Sequence, residues 1–381
     1  MQRGGSVVPI KRIEASAYKI PTDAPEADGT FAWESTTLVV VELTAGGQRG
    51  LGYTYTDAVA ASLISRVFAE ELRSRDAMDI PARMISLLHR VRNLGRPGLV
   101  SMALSAVDAA LWDVKARLLG VPLARLLGAA RDRIPVYGSG GFTSYSLERL
   151  QEQLAGWVEQ GIPRVKMKVG SHPDEDPARV RAARQAIGKD TELFVDANGA
   201  YTAAQALAIA ERFAEQGVTW FEEPVSSDDL EGLRQLRARM PAGMAVAAGE
   251  YGDGGLYFRR MLEADAVDVL QADVTRCLGI TGFLQADALC DAYGVPLSGH
   301  CAPALHVHAA CAARRLVHLE YFHDHARLER MLFDGVPELR DGALVPDLSR
   351  PGLGLELKRA DAARYAVEQA HEDLQLPGYP G

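Results

Sequence analysis

The sequence predicts an α/β fold, a barrel of eight parallel strands that follows a smaller α+β unit. Two observations carry this. From Ile134 onward, short apolar runs alternate with amphipathic stretches of helical period. Strict strand–helix alternation implies a parallel sheet, and eight strands favour its closure. The second observation is a regular stride of polar residues. Lys166-Met167-Lys168, Asp196, Glu222, Glu250, Asp273, His300 and Glu320 each follow an apolar run, and the three central acids are 26 and 28 residues apart. One strand, one helix and two loops of such a barrel take about that many residues, and its chemistry sits at the C-terminal strand ends. Seven successive strands thus direct polar groups into a single cavity.

The elements follow in order. Residues 10–20 and 36–44 read as strands, the second through the β-branched run Thr37-Leu38-Val39-Val40-Val41. Residues 48–55 form a third after the turn at Gly46-Gly47. The segment 21–34, rich in Pro, Asp, Glu and Gly, reads as a mobile loop. Helical patterns cover 58–74, 80–93 and 98–119. The last is apolar on most faces and expected to be buried, with Gly120 as its C-cap and Pro122 as a stop. The barrel strands are predicted at 134–138, 163–168, 192–196, 218–222, 245–249, 267–272, 295–299 and 316–320. Helices at 147–161, 177–187, 203–216, 229–238, 280–293 and 304–313 lie between them. After Glu320 the chain reads as loop, with Asp341-Gly342, Pro346 and Pro351-Gly352, and is expected to return over the first unit. The expected organisation is a capping domain over 1–130, a barrel over 131–330 and a returning segment over 331–381. An open, doubly wound sheet is the alternative, but it needs a glycine-rich phosphate loop after its first strand. Gly138-Ser139-Gly140 begins like that fingerprint, and Thr143 stands where the third glycine belongs.

At 381 residues the chain exceeds one ordinary core, so two domains are expected. A formal net charge of -9 with mixed signs disfavours nucleic acid, which needs a concentrated basic face. No apolar run approaches the ~20 residues of a membrane span. The first 20 residues lack the apolar core of a secretory signal, so a cytoplasmic location is expected. The four cysteines, Cys277, Cys290, Cys301 and Cys311, have no CxxC spacing and read as small buried hydrophobes in a reducing compartment.

Three convergent carboxylates, Asp196, Glu222 and Glu250, would repel one another and partly protonate unless a cation lay between them. Mg²⁺ suits an all-oxygen donor set and leaves positions for water or substrate. Any one of these acids alone reads as a solvated strand end; three in register do not. Asn198, two residues past Asp196, is a candidate to hydrogen-bond substrate. Lys166 and Lys168 alternate to one side of a strand. Two close cations depress each other's pKa, which makes one a usable base and leaves the other to neutralise an anionic substrate. Asp273 and His300, on consecutive strands, form an oriented carboxylate–imidazole pair. Glu320, desolvated on the last strand, is expected to stay protonated and donate to a developing oxyanion.

With these residues in place, the chain resembles the mandelate racemase subgroup of the enolase superfamily over essentially its whole length. The motifs are Ala109-Ala110-Leu111-Trp112-Asp113, Leu119-Gly120-Val121-Pro122-Leu123, Lys166-Met167-Lys168, Asp196-Ala197-Asn198, Glu222-Glu223-Pro224, Gly249-Glu250, Asp273 and Ser298-Gly299-His300. The resemblance implies a modified TIM barrel, (β/α)7β, behind an N-terminal α+β capping domain. It implies Mg²⁺ on Asp196, Glu222 and Glu250. It implies Lys168 and the His300–Asp273 pair as the two acid/bases, Lys166 beside the substrate carboxylate, and Glu320 stabilising the intermediate. A homo-oligomer is implied as well. The sequence departs from other subgroups of the superfamily: Asp273-Val274-Thr275 stands where cycloisomerase-like members of the muconate type have a lysine, and Glu320-Tyr321-Phe322 where dipeptide epimerases have Asp-x-Asp.

The implied reaction is abstraction of the proton α to a carboxylate through an enediolate. The partner is a small hydroxy acid or acid sugar. The polar set of the cap segment, Asp23, Glu26, Asp28, Thr30, Phe31 and Trp33, suits a polyhydroxylated acid, with Asp23 and Trp33 as substrate-binding candidates. Dehydration of an aldonate or aldarate to a 2-keto-3-deoxy acid is the first expectation. Racemisation, epimerisation or lactone cycloisomerisation in the same site is the alternative, and a metal-binding barrel without activity is the remote one. His323 and His325, shortly after the last strand, are candidates to line the cavity mouth, with a surface-loop role the first expectation, and His306 and His308 are read as structural.

Overall fold

The structure, a computed structural model, describes residues 7–367; the part of the returning segment beyond 367 lies outside them. Strands β1 (Ile10–Ala27), β2 (Ala32–Ala45) and β3 (Gln48–Tyr55) form an antiparallel sheet in the order β1-β2-β3. The β-branched run of β2 is its core, with Leu38, Val39, Val40 and Val41 fully buried. The predicted helix over 58–74 is split: α1 (Val59–Leu63) and α2 (Ala69–Leu72) flank a π-helical turn, Ile64–Phe68. Then come α3 (Ile80–Arg90), α4 (Leu99–Leu119) and α5 (Leu123–Leu127). Helix α4 is buried and ends at Gly120 in the left-handed region, as its sequence predicts. It lies directly on β3. A Cβ at Gly52 would fall 2.1 Å from the Ala106 carbonyl, so only glycine permits that approach.

The segment 21–34 is not a mobile loop. It is the end of a long hairpin, with Glu26 paired to Trp33 and Ala27 to Ala32. Pro21 and Pro25 cannot donate to a ladder, and the register shifts between Pro21 and Glu26. Beyond the shift pairing resumes. The Asp28 carboxylate closes the tip by accepting from the Thr30 and Phe31 amides at 2.7 and 2.8 Å. The tip is seated on the barrel: Thr143 N–H donates to the Ala27 carbonyl at 2.8 Å, and the Ser171 hydroxyl to the Asp28 carbonyl at 2.6 Å. A Cβ at Gly29 would meet the Ala197 carbonyl at 2.3 Å. The polar residues that suggest mobility are consumed in fixing the tip.

The barrel contains β4 (Ile134–Gly140), α6 (Leu147–Glu159), β5 (Arg164–Lys168), α7 (Asp176–Ile187), β6 (Glu192–Asp196), α8 (Ala203–Ala214), β7 (Val218–Glu222) and α9 (Leu230–Arg237). It continues with β8 (Ala245–Ala248), α10 (Gly255–Glu263), β9 (Val269–Ala272), α11 (Gly279–Tyr293), β10 (Leu297–Gly299), α12 (Pro303–Ala312) and β11 (Leu316–Phe322). Each strand pairs in parallel with its neighbour, and β11 closes the ring on β4. All eight predicted strands are present, and the fold is the modified TIM barrel, (β/α)7β, with an N-terminal α+β cap. Tyr137, Phe194 and Trp220 fill the interior below the site.

After β11 the chain is helical rather than loop-like, forming α13 (His323–Leu332). Its buried face carries Asp324, His325 and Glu329 alongside Leu328 and Leu332, so a search for apolar period misses it. Short strands β12 (Phe333–Asp334), β13 (Glu338–Arg340), β14 (Ala343–Val345) and β15 (Glu356–Leu357) and helix α14 (Arg359–Ala362) follow. Strand β14 pairs with β4, and Ala366 bridges to Tyr18 of the cap. Among the described residues, no helix is long and apolar enough to cross a membrane.

The cap is joined to the barrel through buried polar contacts. The Tyr53 hydroxyl donates to Glu329 at 2.5 Å, and the Ala304 amide donates to its other oxygen at 3.0 Å. Asp108 accepts from the Thr281 amide and hydroxyl at 3.0 and 2.6 Å. Burial pushes Asp108 up to about 7 and Glu329 up to about 8. A raised folded pKa means that the native chain binds more protons than the unfolded one above the ordinary carboxyl range. Stability from this source is complete at low pH and lost as pH rises through about 8 for Glu329. Stability measured by urea at pH 5.5 and 8.5 should therefore decline, and Glu329→Gln should remove on the order of 1–3 kcal/mol of that decline. Identical pH slopes for both proteins would refute the assignment.

Candidate active site

The site begins with strand register. Lys168 of β5 pairs with Asp196 of β6, and Asp196 with Glu222 of β7. Strand ends in register put these side chains on one rim, facing inward. Glu250 stands two residues beyond β8. One carboxylate oxygen from each of Asp196, Glu222 and Glu250 lies within 4.8 Å of the others, and all three residues are buried. Among the described residues, Oε2 of Glu250 is buried with no hydrogen-bond partner. Burial first, and then the charge of Asp196, push Glu222 up to about 8. An unsatisfied carboxylate oxygen beside an acid whose pKa is pushed up marks a site short of positive charge. The all-oxygen donor set fits a hard divalent cation.

Two lysines supply part of that charge. Nζ of Lys166, fully buried, lies 2.6 Å from Glu222, 2.8 Å from Glu320 and 3.4 Å from Asp196. Nζ of Lys168 lies 2.5 Å from Asp196 and 3.1 Å from Oδ1 of Asn198. Lys166 does lower Lys168, as expected of two close cations, but the neighbouring carboxylates outweigh it. Burial works against their charge, but Glu222 and Glu320 raise Lys166 and Asp196 raises Lys168. Attraction to several carboxylates exceeds repulsion between two ammonium groups. Burial pushes Asp196 up, and Lys168 and Lys166 together bring it below the ordinary carboxylate range.

His300 follows β10, and its Nδ1 lies 2.8 Å from Oδ2 of Asp273. The Thr275 amide donates to the other oxygen of Asp273 at 2.7 Å, fixing the carboxylate. Burial disfavours the imidazolium, but Glu250, Glu320 and the bond to Asp273 outweigh it and raise His300. Nε2 of His300 is left facing Glu250 and Glu320, 3.5 Å from each. Glu320 is not held protonated. Burial favours the neutral acid, yet Lys166 and His300 hold Glu320 well below the usual range. It also accepts from the Ser139 hydroxyl at 2.5 Å and the Cys301 amide at 3.0 Å.

Three residues at this site, Arg276, Ser139 and Cys301, escape the sequence reading. Arg276 donates to Glu250 at 3.2 Å and lies 3.6 Å from Asp273, so it braces an acid from each of two strands. Its position three residues past Asp273, in a strand-end loop, is the available signal. Ser139 and Cys301 matter through contacts with distant Glu320. Cys301 is more than a buried hydrophobe: its Sγ lies 3.3 Å from Nε2 of His300. His325 is not a surface-loop residue; it is buried and stacked on Tyr55, with ring centroids 3.4 Å apart. His306 and His308 lie inside α12, bonded to backbone groups.

Lys168, Asn198, Glu250, Arg276, His300 and Glu320 line one cavity of about 530 Å³ roofed by the hairpin. Trp33 lines it too, with its indole N–H donating to Glu26 at 2.8 Å. Asp23 does not reach the cavity. Its carboxylate is bound to His323 at 3.0 Å, with Arg149 at 3.5 Å. A second cavity of about 780 Å³ adjoins the first, sharing Thr30, Asn198, Tyr251 and Arg276.

Comparison with known proteins agrees with this geometry. Residues 149–362 match the enolase C-terminal domain-like family, and residues 16–128 the mandelate racemase / muconate lactonizing enzyme N-terminal domain. The chain is 33% identical over 327 residues to L-talarate/galactarate dehydratase of Salmonella typhimurium, covering 84% of this chain and 80% of that one. A crystal structure of that enzyme with Mg and L-lyxarohydroxamate superposes with a TM-score of 0.88, covering 96% and 95% at 29% identity. The 3,6-anhydro-α-L-galactonate cycloisomerase of Streptomyces coelicolor is 32% identical over 94% of this chain and 99% of its own. A mandelate racemase/muconate lactonizing enzyme-like protein from Rubrobacter xylanophilus, known by its crystal structure, is 56% identical with a TM-score of 0.92, covering 94% and 100%. The chain belongs to the mandelate racemase/muconate lactonizing enzyme family of the enolase superfamily.

Proposed function

We propose that this protein is a Mg²⁺-dependent acid-sugar dehydratase that converts an aldonate or aldarate to a 2-keto-3-deoxy acid. The observation that carries the reading is the pairing of Lys168 and His300. They stand on strands to either side of the three-carboxylate cluster, and both line the same cavity. Asp196, Glu222 and Glu250 would hold the cation. When bound, Mg²⁺ supplies positive charge that makes a proton α to a carboxylate acidic enough to remove.

The remaining work falls to the chain's own residues. Lys166, paired with Glu222 and Glu320, adds a fixed charge beside the substrate carboxylate. Whichever of Lys168 and His300 is neutral in the bound complex takes the α-proton, and the other stays protonated. In dehydration the other nitrogen gives a proton to the β-hydroxyl, the C–O bond breaks, and water leaves with its electron pair. The enol so formed tautomerises to the 2-keto acid. Asp273 orients the His300 ring and favours its charged form. The hairpin roofs the cavity, and the adjoining cavity leaves room for a hydroxylated chain. Cycloisomerisation is the second reading, favoured by the near full-length match to a cycloisomerase. There the same bases act on a cyclic substrate, and an internal oxygen leaves instead of water.

Two measurements decide between these. Incubation with a panel of aldonic and aldaric acids should yield 2-keto acid with Mg²⁺, lose it with chelator and regain it on Mg²⁺ addition. No turnover across a broad panel, with Mg²⁺ shown to be bound, contradicts dehydration. Keto acid formed from a cyclic acid with no change in mass indicates the cycloisomerase reading, and deuterium entering the α-position from solvent with no keto acid formed indicates racemisation or epimerisation. The second measurement assigns the bases. Lys168→Ala and His300→Asn should each slow α-proton exchange by about 10²–10⁴-fold while still binding Mg²⁺. Exchange at the wild-type rate in both variants would show that neither nitrogen carries the proton.

A further inference from the structure

A second convergence of ligating groups lies where the hairpin meets α13, outside the carboxylate cluster. Asp23 and Glu26 come from the irregular stretch of β1, where register with β2 shifts. His323 opens α13, 300 residues from Asp23, and its Nε2 sits 3.0 Å from Asp23 Oδ2. One ligand atom from each of Asp23, Glu26 and His323 lies within 4.8 Å of the others. Glu26 is only 1% exposed. Its Oε2 accepts from Trp33, but among the described residues its Oε1 has no hydrogen-bond partner. A buried carboxylate oxygen without a donor is costly. A cation would satisfy both carboxylates at once.

The surrounding arginines do not block the position. Arg149 approaches Oδ1 of Asp23, the oxygen turned away from His323. Arg327 is neutralised by Asp324 at 2.5 Å. The donor chemistry differs from that of the central site. One imidazole with two carboxylates suits a borderline ion such as Zn²⁺, whereas an all-carboxylate set suits Mg²⁺. We infer that Asp23, Glu26 and His323 form a second divalent-cation site of the Zn²⁺ type, which pins the roofing hairpin to the barrel. The ion takes the place of the hydrogen bond between Nε2 of His323 and Asp23, and it ties the cap to the element that follows the last barrel strand. This inference is independent of which reaction the central site performs.

The test is calorimetric titration of ZnCl2 into the full chain held in excess MgCl2, with protease cleavage of the hairpin as a second readout. One Zn²⁺ should bind per chain and slow cleavage within 21–34. His323→Gln and Asp23→Asn, both at partly exposed positions, should weaken binding at least about tenfold and abolish the protection. Thermal unfolding without zinc confirms that each variant is folded. Absence of Zn²⁺ binding, or equal binding in wild type and both variants, overturns the inference. So does binding that survives His323→Gln and vanishes in Cys301→Ser, because that places the ion on His300, Cys301 and Glu320.

Discussion

The structure depends on a surplus of buried negative charge held at one end of a barrel. Asp196, Glu222, Glu250, Asp273 and Glu320 are all buried around one cavity, and the cations that face them are fewer. Burying carboxylates is expensive unless they are paired. Lys166 meets this demand by touching three of them at once. The remainder appears as a Glu222 carboxyl pushed up to about 8 and an unsatisfied oxygen on Glu250. A site so arranged is built to take up a divalent cation and, beside it, an anionic substrate. The cost of holding it open is borne by the rest of the fold.

That fold meets the cost through register and through the cap. Parallel strands place one polar side chain per strand end, so neighbours in the ladder become neighbours in the site. The cap is fixed by buried hydrogen bonds to α11, α12 and α13, and its hairpin is seated against the loops after β4, β5 and β6. A cavity whose roof is held this way can exclude water without a large apolar interface. Low dielectric then strengthens each charge interaction inside it.

Much of this was legible in the sequence. The strands, their order and the inward acids could be read because a barrel repeats one simple grammar and marks each strand end with a functional residue. The hairpin is not legible because Pro21, Pro25, Asp28 and Gly29 are loop-forming residues whose polar groups are used up in one tight turn and its seat. Helix α13 was hidden because its buried face carries Asp324, His325 and Glu329. The protonation of Glu320 could not be read at all. It depends on Lys166 and His300, which come from two other parts of the chain. Arg276 was passed over for a related reason: its partner Glu250 lies on another strand.

The most direct test of the central claim is diffraction from crystals soaked in Mn²⁺, read by anomalous scattering. The account predicts one ion bonded to an oxygen from each of Asp196, Glu222 and Glu250, with its peak lost in Asp196→Asn crystals. Ordered manganese elsewhere in the chain, with none at these three carboxylates, would contradict it.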